Sequence, residues 1–543
     1  MPQVRQAASP AHTPHLPPGW LVNMTYGSQM DKPKQNNKTL KRAEKQRPVE
    51  EVSVPPVDKG ETVVLSTPQG REPCGQTKFC ILEEFRGAQL GDKRLTDRLL
   101  ESVEILATMP GQAFSAASQG NKAAIKGHYR MIDKPDESAI TPEAILAPHR
   151  QRTLARMREH ETVLCIQDGC ELNYSGLTQC EGLGQIGTNQ TGASSAGLHL
   201  HSTLAVGIDG VPLGVLRAAI SAPLSKSADK RKRQDIPIEE RKTFAWIEGL
   251  RDCVEASAQL GLTTRQVCVM DREADFFDLF DEPRNNKVDL LVRAKHDRVM
   301  GGDKTLFDHV RQSTVQGTLE IMVPRQSTRA KKSKQKASNG HSKRTAQVEL
   351  RYQQIQLRAP EHLKDRLPAT VWVVHVQEQM KPDDDEPLEW FLLTTQKIAT
   401  HEQAQECLRW YALRWRIEDW HRVLKTGCRI ESLQHQNATR LKRALCVHLV
   451  IAWRIMLMTL LGRQSSELPA EILFTDIEID VLTAYAKKKA PALVPGRLND
   501  AIRLVARLGG YIERGKQPPP GHQIIWRGYA LLQTMCEAFS LLE

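Results

Sequence analysis

Val163-Leu164-Cys165-Ile166-Gln167-Asp168 is an apolar run of strand length closed by an acid, and Val267-Cys268-Val269-Met270-Asp271 repeats that design further along the chain. Short β-branched runs without alternation mark strands buried on both faces. In an α/β sheet the crevice that takes ligand lies beyond the carboxyl ends of the strands, so an acid directly after such a run is aimed into it. For either aspartate alone a strand-end turn or a helix N-cap explains the residue as well.

Working outward, strand patterns stand at 162–166, 198–206, 213–220, 266–270 and 289–292, and helical patterns near 239–260, 274–280 and 401–425. The order is three strands, a helix, a strand, a helix, a strand and, much later, a helix. That order belongs to an α/β, ribonuclease-H-like core; a doubly wound dinucleotide fold would open strand, helix, strand. Between the last strand and the last helix lie β-like runs at 319–323, 347–357, 370–376 and 390–394, read as a β-rich insertion whose basic stretch 325–344 is either a solvated hairpin tip or a nucleic-acid contact. Six segments are expected. They are a disordered basic extension at 1–73, a helical domain at 74–150, the first part of the α/β core at 151–304, the insertion at 305–395, the core helix at 396–463 and a second helical domain at 464–543.

The core helix carries Tyr411-Ala-Leu-Arg-Trp-Arg-Ile-Glu-Asp-Trp-His-Arg-Val-Leu-Lys425. At about 100° per residue, Tyr411, Arg414, Glu418, Arg422 and Lys425 share an arc of roughly 80°, while Trp410, Leu413, Ile417, Trp420 and Leu424 form an apolar one. One carboxylate among three cations and a phenol suits a metal-bound acid with phosphate clamps. It equally suits a surface helix with i,i+4 pairs such as Glu418 with Arg414 or Arg422. Two further acids, Asp168 and Asp271, complete a set of hard oxygen donors of the kind that holds Mg²⁺.

The chain has 543 residues, too many for one compact core, and a formal net charge of +11, which favours a polyanionic partner. Its pI is near 9.1. The 11 cysteines show no zinc spacing and fit reduced core thiols. The start, Met-Pro-Gln-Val-Arg-Gln, lacks the apolar centre of a signal peptide, and the longest apolar stretch, 445–461, is broken by His448 and Arg454, as in a buried helix; no membrane partner is expected. Gly182-Leu183-Gly184-Gln185-Ile186-Gly187 matches a dinucleotide GxGxxG, but no strand immediately precedes it and no helix follows, so it is read as an active-site loop.

Asp271-Arg272-Glu273-Ala274-Asp275 and the spaced Tyr411, Arg414, Glu418 and Lys425 resemble the DREAD and YREN motifs of DDE transposases from bacterial insertion sequences, nearest the insertion-sequence-four branch and its Tn-five-type members. The resemblance extends to Leu90-Gly91-Asp92-Lys93-Arg94, Tyr129-Arg130-Met131-Ile132, Val292-Arg293-Ala294-Lys295-His296, Pro387-Leu388-Glu389-Trp390 and Ala506-Arg507-Leu508-Gly509-Gly510, and covers roughly residues 74 to 543. It implies cut-and-paste transposition by a homodimer bound to terminal inverted repeats of double-stranded DNA, with hairpin formation before strand transfer into target DNA, in the bacterial cytoplasm and on the nucleoid. It also implies Asp168, Asp271 and Glu418 as ligands of two Mg²⁺ ions, with Mn²⁺ as a substitute. Tyr411, Arg414, Arg422 and Lys425 are then phosphate contacts, with Arg293 and Lys295 nearby, Trp390 as a base-stacking aromatic, and Arg98 and Arg130 in the end-binding domain. Where the family often has lysine four residues after the glutamate, this chain has Arg422, which keeps the charge and changes the donor geometry.

Two other classes compete. A catalytically inactive DNA-binding relative would occupy the repeats or regulate transposition, though a decayed copy would tend to lose acids and all three are present. A carboxylate hydrolase of sugars or phosphate esters explains the acids but not the cationic helix face or the helical domain.

Overall fold

The computed structural model describes residues 81–188, 194–223, 236–301, 304–323, 344–379, 387–464, 468–513 and 519–541. The expected extension at 1–73 and nearly all of the basic stretch 325–344 lie outside them.

The amino-terminal unit holds α1 (Lys93–Thr108), α2 (Phe114–Ala117) and α3 (Lys122–Ile132), followed by α4 (Pro142–Met157). Asp92 and Asn121 cap α1 and α3 with their side chains, and Pro142 opens α4 where a missing N–H costs nothing. The α4 helix spans the expected boundary at 150/151, so the amino-terminal unit runs without a break into the core.

The core begins with β1 (Thr162–Asn173), β2 (Gly184–Thr188), β3 (Ser194–Gly207) and β4 (Pro212–Ser221), then α5 (Phe244–Gln259), β5 (Arg265–Met270), α6 (Phe277–Asp281) and β6 (Val288–Arg293). The small hairpin β7 (Val299–Gly301) and β8 (Lys304–Thr305) leads to α7 (Leu306–Arg311), and β9 (Gly317–Val323), β10 (Arg344–Leu357), β11 (Ala369–Glu378) and β12 (Glu389–Thr394) follow. One mixed ten-stranded sheet runs β2-β3-β1-β5-β6-β12-β11-β10-β9, with β4 also on β3. β5 is parallel to β1 and to β6, while β3 and β12 are antiparallel to their neighbours. The insertion therefore prolongs the core sheet through β12 on β6, giving its apolar strands a covered edge.

Side chains alternate across the central strands as the pleat requires. Leu164, Ile166, Val267 and Val269 enter one core together with the later helices, whereas Val163, Cys165, Cys268 and Met270 enter the other with α5 and α6. Both cores are dry, which is why these runs carry no polar alternation.

The later helices are α8 (His401–Ala412), α9 (Trp415–Arg422), a π turn at Val423–Gly427, α10 (Ala438–Gln464), α11 (Asp476–Lys489), α12 (Leu498–Leu508) and α13 (His522–Ser540). The apolar stretch of α10 is long enough to cross a membrane, but every residue of its most apolar window is buried inside the protein. It is a core helix, packed on α4, β4, α12 and α13. Cys165, Cys268, Cys407 and Cys446 are free and buried, as expected of core thiols.

Three expectations are corrected by the local structure. β1 does not end at Asp168; it continues to Asn173 because β3 is long enough to pair with it as far as Asn173 opposite Gly197. The GxGxxG segment is an edge strand, β2, in which a Cβ on Gly184 would stand 2.3 Å from the carbonyl oxygen of Pro223. The helix expected over 401–425 is broken at Leu413 and Arg414, where Leu413 N–H bonds the carbonyls of both Arg409 and Trp410 and Arg416 N–H bonds that of Leu413.

Candidate active site

The parallel pairing of β1 with β5 stops at Ile166 opposite Val269. Asp168 lies two residues beyond that point and Asp271 directly after β5, so both acids stand at the carboxyl end of the parallel ladder although β1 itself runs on. Asp271 also caps the short turn Arg272–Ala274, its Oδ1 accepting from Glu273 N–H at 2.8 Å. The capping role and a catalytic role are thus compatible at one residue.

Glu418 comes from α9, which lies against β1. Arg414 joins it to Asp168: one guanidinium nitrogen donates to Glu418 Oε1, and another stands 3.9 Å from Asp168 Oδ2. Burial pushes the Asp168 carboxyl up to about 7, Arg414 opposes this, and the charges of Asp271 and Glu418 push it further up. Burial raises Glu418 as well, against the pull of Arg414. Burial works against the charge on Arg414, but Tyr411, Glu418 and Asp168 outweigh it and hold the guanidinium firmly protonated. Three carboxylates therefore converge with too little positive charge to neutralise them.

Among the described residues no group of three or more histidine, cysteine or acidic side chains is close enough to form a finished metal cage. The donor set nevertheless fits a hard divalent ion: three carboxylates on separate elements, two of them held above the usual carboxylate range by burial.

Around the acids, Tyr411 is buried, with the charges of Arg414 and Arg293 acting on its phenol. Trp390, on β12, is only 6% exposed and meets Tyr411 edge to face at 5.7 Å, with Arg293 over its ring at 5.5 Å. In this structure the ring packs against Tyr411 and Arg293, so the expected stacking on a base requires that packing to open. Lys425, in the π turn, donates to the carbonyl of Glu171 at 2.5 Å and lies 3.4 Å from Glu431. Arg422, one turn after Glu418, pairs with Asp419. Lys295 is exposed on a loop that Asp275, a buried acid of the same motif as Asp271, fixes by accepting from Lys295 N–H at 2.6 Å and His296 N–H at 2.9 Å. Arg98 lies along Gly127 between α1 and α3, and Arg130 is exposed in the last turn of α3.

Sequence patterning missed a histidine beside Asp168. His421 on α9 stands 3.9 Å from Asp168 and 3.2 Å from the hydroxyl of Ser202, and burial holds it neutral, down to about 3. Gly169 has no side chain because a Cβ there would press at 3.0 Å on His199. His199 and His201 stand opposite Glu171 and Gly169 of β1, on the sheet face away from Asp168, where His201 meets Trp246 of α5 edge-on at 4.8 Å.

Residues 80–136 match the transposase DNA-binding family, 246–454 the transposase DDE domain, and 450–540 the transposase Tn5 dimerisation domain. The chain carries the domains of a DDE transposase. Asp271 and Glu418 lie within the matched DDE span and Arg98 and Arg130 within the DNA-binding span, while Asp168 precedes the DDE match and is tied to it by the contacts above. Among solved structures the transposase is similar to a piggyBac transposase synaptic complex with hairpin DNA, at 11% identity over 81% of this chain and 75% of that one, with a TM-score of 0.32.

Proposed function

We propose that this transposase binds the terminal inverted repeats of an insertion sequence as a homodimer and cuts and rejoins DNA at a site built from Asp168, Asp271 and Glu418. The observation that carries the proposal is the convergence of these acids, from two strands and a helix, around Arg414. The strand order β4-β3-β1-β5-β6, with β3 antiparallel to β1, supports a ribonuclease-H-like core.

The three acids are the expected ligands of two Mg²⁺ ions, with Mn²⁺ as a substitute. When bound, such ions activate the attacking oxygen and stabilise the leaving oxygen of an in-line displacement. The chain's own residues do the rest. Tyr411, Arg414 and Arg293 orient the scissile phosphate, Lys425 extends the cationic face along β1, and Arg98 and Arg130 hold the end DNA through its backbone. The hairpin route, the insertion-sequence-four affiliation and a bacterial cytoplasmic setting rest on the motif resemblance of residues 271–275 and 411–425.

The test uses DNA flanking the reading frame. Purified protein should bind and nick its terminal repeats with Mg²⁺ or Mn²⁺, and Asp168→Asn, Asp271→Asn and Glu418→Gln should each bind but not nick. Binding without cleavage by the wild type would favour the binding-only relative, and full cleavage by all three variants would remove the site assignment.

A further inference from the structure

Arg414 stands where two of the acids would share a divalent ion. It donates to Glu418, faces Asp168 at 3.9 Å and lies over the ring of Trp415 at 5.2 Å. Its side chain is 11% exposed, so the pairing is shielded from solvent salt. The residue sits at the break between α8 and α9, close enough to Tyr411 and Arg293 for their charges to act on one another. Among the described residues Arg414 is the ion-pair partner of Glu418, while Arg422, the next cation along the helix, pairs with Asp419.

We propose that Arg414 is an internal counter-cation that makes metal binding conditional on DNA. Without DNA, its guanidinium pairs with Glu418, partly offsets Asp168 and competes with a divalent ion for both. A scissile phosphate arriving beside Tyr411 and Arg293 offers Arg414 a bidentate anionic partner, the geometry guanidinium favours. Once Arg414 turns to that phosphate, the two carboxylates lose their countercharge and take the metal. The scheme rests on the assignment of Asp168, Asp271 and Glu418 as metal ligands. It adds that the chain guards them, so that cleavage chemistry is assembled only on DNA. By linkage, metal tightens DNA binding by the same factor as DNA tightens metal binding.

The experiment is a Mn²⁺ titration of the full chain, followed by the spin-resonance signal of free Mn²⁺, with and without a duplex cut from the flanking DNA. The expected result is a DNA-dependent tightening of about tenfold in the wild type, within the usual range of coupling between sites. Arg414→Gln should bind Mn²⁺ about tenfold more tightly than wild type in the absence of DNA, and the further gain on adding DNA should largely vanish. Arg414→Lys, which keeps a cation in the same place, should titrate close to wild type and guards against a result caused by misfolding. Unchanged DNA-free affinity in Arg414→Gln would overturn the proposal, as would the same tightening in Arg414→Lys. A doubly substituted Asp271→Asn, Glu418→Gln protein separates the two ideas: if it binds Mn²⁺ like wild type, the ligand assignment itself fails and the proposal falls with it.

Discussion

The segment 401–427 and helix α10 lie next to each other, both carry arginines into the interior, and they treat those charges in opposite ways. On α10, Arg443 donates to the carbonyls of Ile140 at 2.6 Å, Ile132 at 3.0 Å and Pro135 at 2.8 Å, and also to Lys134, which gathers the loop after α3 onto the core. Arg454 similarly bonds Tyr529 and the carbonyl of Leu473, each at 2.7 Å, holding α13 and the segment before α11. These acceptors are neutral, fixed and sufficient. On 401–427 the cation Arg414 meets titratable carboxylates that outnumber it, and the helix is broken before it and widened to a π turn after it. A buried charge saturated by backbone oxygens fixes a fold, whereas one left among under-neutralised acids marks chemistry.

The sharpest way to break that comparison is to remove the charges on each side. Glu418→Gln should lower strand cleavage by at least about a thousandfold, or about 4 kcal/mol in the barrier. It should leave the urea unfolding midpoint unchanged or higher, because a strained carboxylate is gone. Arg443→Met should do the reverse, destabilising the fold by about 3 kcal/mol through carbonyls left without donors. Gel assays of cleavage beside urea melts would separate the two outcomes. A destabilised Glu418→Gln or an unaffected Arg443→Met would erase the distinction.

The same contrast explains what could be read from the sequence. Strands 163–168 and 267–271 were legible because full burial forces continuous apolar runs, and the acids stood out against them. The end of β1 was not, because Gly169 to Asn173 depend on pairing with β3, a long-range effect with no local signal. The expected face of 411–425 correctly grouped Tyr411, Arg414 and Glu418, but it assumed an unbroken period of 3.6. The break at Leu413 and Arg414 separates α8 from α9 and the π turn at Val423–Gly427 carries Lys425 to β1, while Arg422, still in register with Glu418 on α9, pairs with Asp419. Trp390 was ambiguous for a further reason: an aromatic that opens an apolar strand looks alike whether its ring meets DNA or Tyr411.

Titration offers a finer probe of the acid side. The Asp168 carboxyl is raised from its ordinary value to about 7 by burial, with Asp271 and Glu418 adding to it and Arg414 opposing. A carboxyl raised on folding favours the folded state while protonated in it, and that contribution is full below the unfolded value and lost as pH climbs through the folded one. Stability should therefore fall from about pH 4 to pH 7 on account of this group, and Asp168→Asn should not share the loss. In EDTA, the difference in melting temperature between Asp168→Asn and wild type should grow in favour of the variant across that window and then level off. An equal difference at pH 4.5 and pH 7.5 would show that Asp168 carries no such strain. Arg443→Met should show no comparable pH trend, since its acceptors do not titrate.

Trp390 gives the smallest effect and tests where packing ends and DNA contact begins. Its ring is 6% exposed, edge-on to Tyr411 and beneath Arg293, so its work in this structure is to hold those two side chains. Trp390→Phe keeps an aromatic face for both and should cost under about 1.5 kcal/mol of stability and only a fewfold in cleavage. Trp390→Ala should cost about 3 kcal/mol by opening a cavity, and should slow cleavage further by letting Tyr411 and Arg293 shift. A platform for a flipped base makes a different prediction: 2-aminopurine placed at the transferred end should be quenched by wild type and brighter with Trp390→Ala at equal protein saturation. If the fluorescence is the same for both proteins, Trp390 belongs with Arg443 among the groups that fix the fold. If it brightens, the packing around Trp390 must open on DNA, and Tyr411 and Arg293 must move with it.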